Sequence, residues 1–507
     1  MKSYTESKVL DFSLKSKIAE SKLPAESNLQ KIPLINLHAQ YHAYKQKIDS
    51  AIARTLESTS FILGEECERL ESELAQFVGA RHCLCCSSGT SALLLALLAL
   101  GIGRGDEVIT PSFGFVAAAE MVALVGAKPV FVDIDARNYT LDVAQVRASI
   151  SARTKAIIPL CLFGAPYDVW GLREVAQNAG VAIIEDGAQS FGAWVDSDDL
   201  DAGSVDSGAD FRVLDSGAES KAPSRIRADK IHSGKIYSTK IHSGRFGDIS
   251  ITSFFPSKPL GCYGDGGAIF CDDSAIFARL RQLRNHGQSS KYEHNMLGIN
   301  SRLDSMQCAI LRVKLAHFTD ELRARQKVAA RYFEILSDFC EDSKDSSVEF
   351  GAESKSALAA PLATPAKLIL PINQPNSVYA QFCLRVESLD STDSWDSRDL
   401  ADSSDSAAKS CAQDSKVQNP SALDSSKIRA HIIEHLARAG IATAIHYPKP
   451  LHLQKAFAFL GYKKGDFPVS ERVANGIFSI PFCAFLDRKS QDYIAQALLS
   501  ALNPHQI

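Results

Sequence analysis

The chain has 507 residues, of which 45% are hydrophobic and 22% charged, with a formal net charge of −4. Such a composition is that of a globular protein with room for two or three domains, and it offers no basic field for nucleic acid or an acidic membrane surface. Small molecules are the expected partners. The opening residues M-K-S-Y-T-E-S-K contain no apolar core of a secretory signal, and the longest apolar run, residues 92–100, is too short to span a bilayer. A cytoplasmic protein with reduced thiols and no membrane association is therefore expected. Among its twelve cysteines, Cys83, Cys85 and Cys86 crowd together as C-L-C-C, but no second C-x-x-C or histidine pair stands at zinc spacing. Buried structural cysteines are the reading, with no metal.

Residues 1–30 are polar and aperiodic, a leader ahead of the folded chain. Apolar residues then recur at helical spacing over 44–57 and 66–78. Beyond them the pattern alternates: strands are predicted at 82–86, 107–110, 129–132, 156–160 and 181–185, and helices at 91–100, 116–125, 143–150 and 169–179. This alternation predicts an α/β fold with a mainly parallel central sheet, whose ligands bind at the carboxyl ends of the strands.

Three stretches interrupt it. Residues 195–243 are rich in Ser, Asp, Gly and Lys and contain the near repeat K-I-H-S-G-K and K-I-H-S-G-R; residues 341–356 and 388–427 are similarly polar. None buries enough apolar surface to offset its ordering entropy, so all three are expected as insertions outside the fold. His232 and His242 in the first read either as a metal-binding pair or, more simply, as solvated low-complexity sequence. A long helix is predicted from 305 to 336, then a smaller α+β domain with strands at 379–386 and 443–446 and helices at 429–439 and 492–502. The expected division is a large domain over 31–300 and a helix plus small C-terminal domain over 301–507.

Chemistry is suggested first by Lys258, placed between Pro256 and Pro259 and just ahead of four glycines in T-S-F-F-P-S-K-P-L-G-C-Y-G-D-G-G-A. It reads either as a surface lysine in a glycine loop or as a nucleophile, because burial without a partner disfavours the ammonium form. Ser88, Gly89 and Thr90 follow a predicted strand and open a helix, which suits either an ordinary cap or a phosphate cradle. Asp186 ends the apolar run V-A-I-I-E-D at the expected ligand crevice, as a helix cap or as the partner of a protonated ring nitrogen. Gln189 stands three residues on, within reach of a ring oxygen. Phe115 lies where a strand gives way to a helix, as core or as a face for a planar ring. Ser253, five residues before Lys258, is a further candidate phosphate ligand.

Together S-S-G-T, D-E-V-I-T-P-S-F, V-F-V-D-I-D, I-E-D-G-A-Q-S-F-G-A, the lysine segment, R-N-H-G and G-I-N-S-R-L-D-S-M-Q strongly resemble the sugar-nucleotide aminotransferases of the DegT/DnrJ/EryC1/StrS family. The resemblance covers nearly everything from residue 32 onward except the insertions. It implies the pyridoxal-phosphate-dependent transferase fold type I, of the aspartate aminotransferase kind, with pyridoxal 5′-phosphate as cofactor. Lys258 then becomes the Schiff-base lysine, Asp186 the partner of the pyridine nitrogen, Gln189 the contact to the ring hydroxyl and Phe115 the stacking face. Ser88, Gly89, Thr90 and Ser253 would hold the phosphate. Asn300 and Arg302 would come from the neighbouring subunit, which implies a homodimer with shared sites.

Within the family the chain is most similar to the branch that aminates C3 of 3-keto nucleotide sugars, in particular UDP-2-acetamido-2-deoxy-3-oxo-glucuronate in surface-polysaccharide pathways, with L-glutamate as donor. Arg302, His446 and Tyr447 are then candidate substrate contacts, and a packed strand histidine is the other reading of His446. A 4-keto or 6-deoxy-3-keto sugar as acceptor, and a non-catalytic cofactor-binding regulator, are the rival readings. Two departures from the family pattern, Gly187 for the usual Ala and Gly114 for the frequent Thr, are expected to loosen the pocket.

Overall fold

The computed structural model describes residues 31–197, 240–337, 366–388 and 424–503. Helix α1 (Leu37–Ser58) begins where the Asn36 side chain accepts the Ala39 amide at 2.9 Å, about two turns earlier than its apolar spacing suggests. Helix α2 (Glu65–Val78) opens with three acidic residues in its first turn, which complement the positive end of the helix. Strand β1 (His82–Cys86) follows, and then α3 (Gly89–Ala99). The latter is apolar all round, and accordingly Ala92, Leu93, Leu95, Ala96 and Leu97 are fully buried.

The chain continues through β2 (Glu107–Pro111), α4 (Ala117–Leu124), β3 (Lys128–Val132), α5 (Val143–Ser149), β4 (Thr154–Ile157), α6 (Val169–Ala179) and β5 (Ala182–Asp186). Next come the paired β6 (Trp194–Asp196) and β7 (Lys240–His242), then β8 (Ile249–Ser253), β9 (Gly267–Cys271) and α7 (Ser274–Arg284). Seven of these strands form one sheet in the order β1-β9-β8-β5-β4-β2-β3. Only β9 runs against its two neighbours, so the carboxyl ends of the other strands share one edge. Strands β8 and β9 and helix α7 lie beyond the predicted alternation.

A short hairpin, β10 (Gln288–Ser290) with β11 (Glu293–His294), precedes the 32-residue helix α8 (Ser305–Leu336), about 48 Å long at 1.5 Å per residue. Its Cys308 and Leu311 pack in the large domain, whereas its Val328, Ala329, Tyr332 and Leu336 enter a second core. That core is shared with β12 (Ala366–Ile369), β13 (Phe382–Ser388), α9 (Ser425–Arg438), β14 (Ile477–Ile480) and α11 (Arg488–Ala501), while α10 (Pro468–Gly476) packs its Val473 and Ala474 into the main core. No described helix is long and apolar enough to cross a membrane.

Some expectations change. The strand predicted at 443–446 is absent: Ala444 makes one isolated bridge to Ser479, and Pro448 and Pro450, which lack the N–H a ladder needs, follow immediately. The first insertion is narrower than the span 195–243. Trp194, Val195 and Asp196 pair in register with His242, Ile241 and Lys240, so the chain leaves and rejoins the fold at adjacent residues. At the third insertion Ser388 ends β13 and residues 425–427 open α9, with the Ser388 amide donating to Ser425 Oγ at 3.1 Å. The leader, the second insertion over 341–356 and His232 lie outside the described residues. His242 sits on β7 with its ring 6.0 Å from Phe77. Cys83, Cys85 and Cys86 are buried, as are the seven other cysteines of the described residues.

Candidate active site

Asp186 is the last residue of β5, at the shared carboxyl edge. Its backbone bridges the β4 exit, donating to Pro159 O at 2.9 Å and accepting from Cys161 N at 3.0 Å. The carboxylate is buried and Oδ1 accepts the Ala188 amide at 3.1 Å. Burial raises its pKa, while that amide and the Lys258 ammonium pull it down.

The residue beside it explains how the strand end is held. Glu185, fully buried, accepts Ser243 Oγ at 2.5 Å, the Phe246 amide at 3.0 Å and the Gly244 amide at 3.1 Å. Those donors lie just after β7, so Asp186 keeps its place although an insertion separates it from Lys258 in sequence. Gly187 and Gly114 do not loosen this region. A Cβ on Gly187 would stand 2.9 Å from Ile251 O and from Ser243 Oγ, and one on Gly114, whose φ is +150°, 2.6 Å from Leu160 Cδ2. Glycine is what the close packing admits.

Lys258 lies on the loop between β8 and β9, its amide donating to Phe255 O at 2.8 Å. Enclosure of its side chain lowers the ammonium pKa, and Asp186 opposes that shift. The same ammonium acts electrostatically on His446, whose pKa is lowered first by burial and then by Lys258. His446 Nδ1 is 2.8 Å from Ser479 Oγ of β14. Next to it, Tyr447 OH accepts from Gln189 Nε2 at 3.2 Å, and Gln189 Oε1 accepts the Phe163 amide at 2.7 Å. Burial pushes the Tyr447 phenol well above its usual range, and Asp186 adds to the effect. Asp186, Gln189, Lys258, His446 and Tyr447 thus form one group, to which the small domain contributes the last two.

Phe115 closes one side, its ring 6.2 Å from that of Tyr447 and half exposed. Ser88 caps α3, its Oγ accepting the Ser91 amide at 3.0 Å, and the Gly89 and Thr90 amides are first-turn donors with no partner within the helix. Backbone approaches there are close: a Cβ on Gly89 would stand 2.9 Å from Ser253 Cβ, and one on Gly267 2.5 Å from Ser88 C. Free amides, hydroxyls of Ser88, Thr90 and Ser253, and absent side chains at Gly89 and Gly267 make a cradle fit for a dianionic phosphate. A buried carboxylate with one backbone donor fits a cationic ring nitrogen, so the residues suit pyridoxal phosphate at both ends.

Asn300 and Arg302 are not joined to this group by any hydrogen bond among the described residues. Asn300 is exposed and bridges Asn285, Arg302 Nη1 donates to Asn285 Oδ1 at 2.8 Å, and between them Ser301 O accepts the Ser87 amide at 3.2 Å. Phe163 and Ser479, which orient Gln189 and His446, escaped sequence reasoning. Only Gly164, with φ +101° and a Cβ position 2.7 Å from the Ala380 amide, marks the Phe163 turn as a close contact with the small domain.

The fold and the opposition of a buried carboxylate to a charge-poor lysine define a pyridoxal-phosphate-dependent transferase of the aspartate aminotransferase kind. The chain belongs to the DegT/DnrJ/EryC1/StrS aminotransferase family, whose pattern matches residues 42–366 and 397–499. It is 37% identical over 467 residues to the UDP-2-acetamido-2-deoxy-3-oxo-D-glucuronate aminotransferase of Pseudomonas aeruginosa, covering 92% of this chain and 99% of that protein. It is 34% identical over 472 residues to the UDP-N-acetyl-3-dehydro-alpha-D-glucosamine 3-aminotransferase of Acidithiobacillus ferrooxidans, covering 93% and 98%. Among solved structures, S. venezuelae DesV in complex with a ketimine intermediate matches with a TM-score of 0.67 at 31% identity, covering 93% of this chain and 98% of that one. The protein is an aminotransferase, and its cofactor is pyridoxal 5′-phosphate.

Proposed function

We propose that the protein transfers the amino group of L-glutamate to a keto nucleotide sugar, at C3 of a UDP-2-acetamido-2-deoxy-3-oxo-hexuronate, for a surface polysaccharide or glycan. The observation that carries the reading is the grouping of Asp186, Lys258, His446 and Tyr447. The two relatives above, both named for amination of a 3-oxo or 3-dehydro UDP sugar, support the acceptor.

Bound pyridoxal phosphate supplies a carbonyl to receive the amino group and an electron sink for the carbon being deprotonated. Lys258, whose enclosure lowers its ammonium pKa, takes the proton from the α-carbon of glutamate and later returns one to C3 of the sugar. Asp186 holds the ring nitrogen protonated. His446 and Tyr447 border the acceptor, and Arg302 is suited to pair bidentately with a uronate carboxylate.

A homodimer sharing two sites is part of this reading. Phe115 and Phe255, flanking the site, are each 51% exposed, an apolar rim that a second copy would cover.

The test is a panel of 3-keto and 4-keto UDP and dTDP sugars given with glutamate, with mass detection of the amino product. The 3-oxo uronate should give the highest kcat/KM. Preference for a 4-keto sugar by tenfold or more would replace the acceptor, and a yellow protein unchanged by glutamate would replace enzyme by regulator.

A further inference from the structure

The loop carrying Lys258 is closed at its base: Phe254 N donates to Gly266 O and Cys262 N to Phe254 O, both at 2.7 Å. Its outgoing limb, residues 261–264, belongs to no strand or helix. The backbone of that limb is held instead from the side by α8. Gln307 grips Tyr263 at both ends, Oε1 accepting its amide at 2.8 Å and Nε2 donating to its carbonyl at 3.3 Å. Seven residues on, two helical turns along the same stripe, Lys314 Nζ donates to Gly261 O and lies 5.2 Å from the centre of the Tyr263 ring. There is no slack on the loop side. A Cβ on Gly261 would meet Pro256 O at 2.6 Å, and one on Gly264 would meet Gln307 Nε2 at 3.3 Å.

The geometry points to Gln307 and Lys314 as positioning residues: a two-point clamp by which α8 fixes the lysine loop, and through it the reach of Lys258 toward Asp186. Lys314 is only 2% exposed, and burial lowers its pKa to about 8 against the opposing pull of Glu321. An aliphatic side chain would fill that place without any such penalty, so the ammonium is poorly explained as packing and well explained by the carbonyl it binds. The far end of α8 packs in the small domain, the part of the chain that brings His446 and Tyr447 to the site. One rigid element therefore spans both halves of the pocket.

The inference rests on Lys258 being the working lysine, but its test reads the clamp directly. In full-length protein, Lys314→Met and Gln307→Leu are compared with wild type by hydrogen exchange of the peptide over 254–266, by the pH titration of the visible band, and by kcat and KM for glutamate. Loss of one clamp bond should speed amide exchange in that peptide about tenfold, with the rest of the large domain unchanged. The band should shift its titration midpoint, kcat should fall with KM for glutamate within about twofold, and Lys314→Arg should restore part of kcat. Unchanged exchange over 254–266 in both variants overturns the clamp, as does a general rise in exchange across the domain, which marks a merely structural lysine. If exchange and band respond but glutamate is not the donor, the clamp stands and the donor assignment falls.

Discussion

Replacing Asp186 by Asn separates what this carboxylate does for chemistry from what it does for folding. Asn keeps the oxygen that accepts the Ala188 amide and nearly the same volume, and removes the charge. An ion pair at about 4 Å in a medium of effective dielectric about 20 is worth about 4 kcal/mol, or a factor of about 10³ at 1.36 kcal/mol per decade. The variant should therefore discharge glutamate about 10²–10³ times more slowly, measured as single-turnover loss of the visible band. Stability moves otherwise. Burial holds the Asp186 pKa above its ordinary value, so its favourable contribution is complete below the unfolded pKa and is lost as pH rises through the folded one. At pH 7 the cofactor-free wild type bears that cost and the Asn variant does not, so thermal unfolding of the cofactor-free variant should occur at an equal or higher temperature. A glutamate half-reaction slowed less than about fivefold, or a cofactor-free variant melting well below wild type, would refute the reasoning.

Lys258→Ala should lose at least the 10²–10⁴-fold typical of a positioned acid–base group, while equilibrium dialysis still detects pyridoxal phosphate in the Ser88 to Thr90 cradle. Mixing inactive Lys258→Ala with inactive Arg302→Ala under subunit exchange should restore up to about a quarter of wild-type activity, because half of the dimers would then carry one intact shared site. No recovery, with hybrid dimers present by native mass spectrometry, would place Arg302 in the site of its own chain.

The parallel half of the sheet was legible because each βα unit writes its own periodicity: residues 82–86, 129–132 and 181–185 come within a residue of β1, β3 and β5. Lys258, Asp186, Gln189 and the cradle were legible because glycines and strand ends must sit where backbone approaches a ligand. The antiparallel β9 was missed, since G-A-I-F-C is five residues of apolar chain with no period to read. The 443–446 segment misled for a related reason: A-T-A-I-H alternates like a strand, but the prolines after it prevent a ladder. Lys314 and Gln307 were invisible because a lysine in a helix carries no mark of what lies across from it. Only the tertiary approach of α8 to residues 261–264 gives them a role.

The most direct measurement of the central claim is reduction of the holoenzyme with borohydride followed by peptide mapping. The account predicts a single pyridoxyl-labelled peptide carrying the label on Lys258, and loss of that label when glutamate is added first. A label on Lys314 or any other lysine, or a Lys258 peptide that remains labelled in the presence of glutamate, would contradict it.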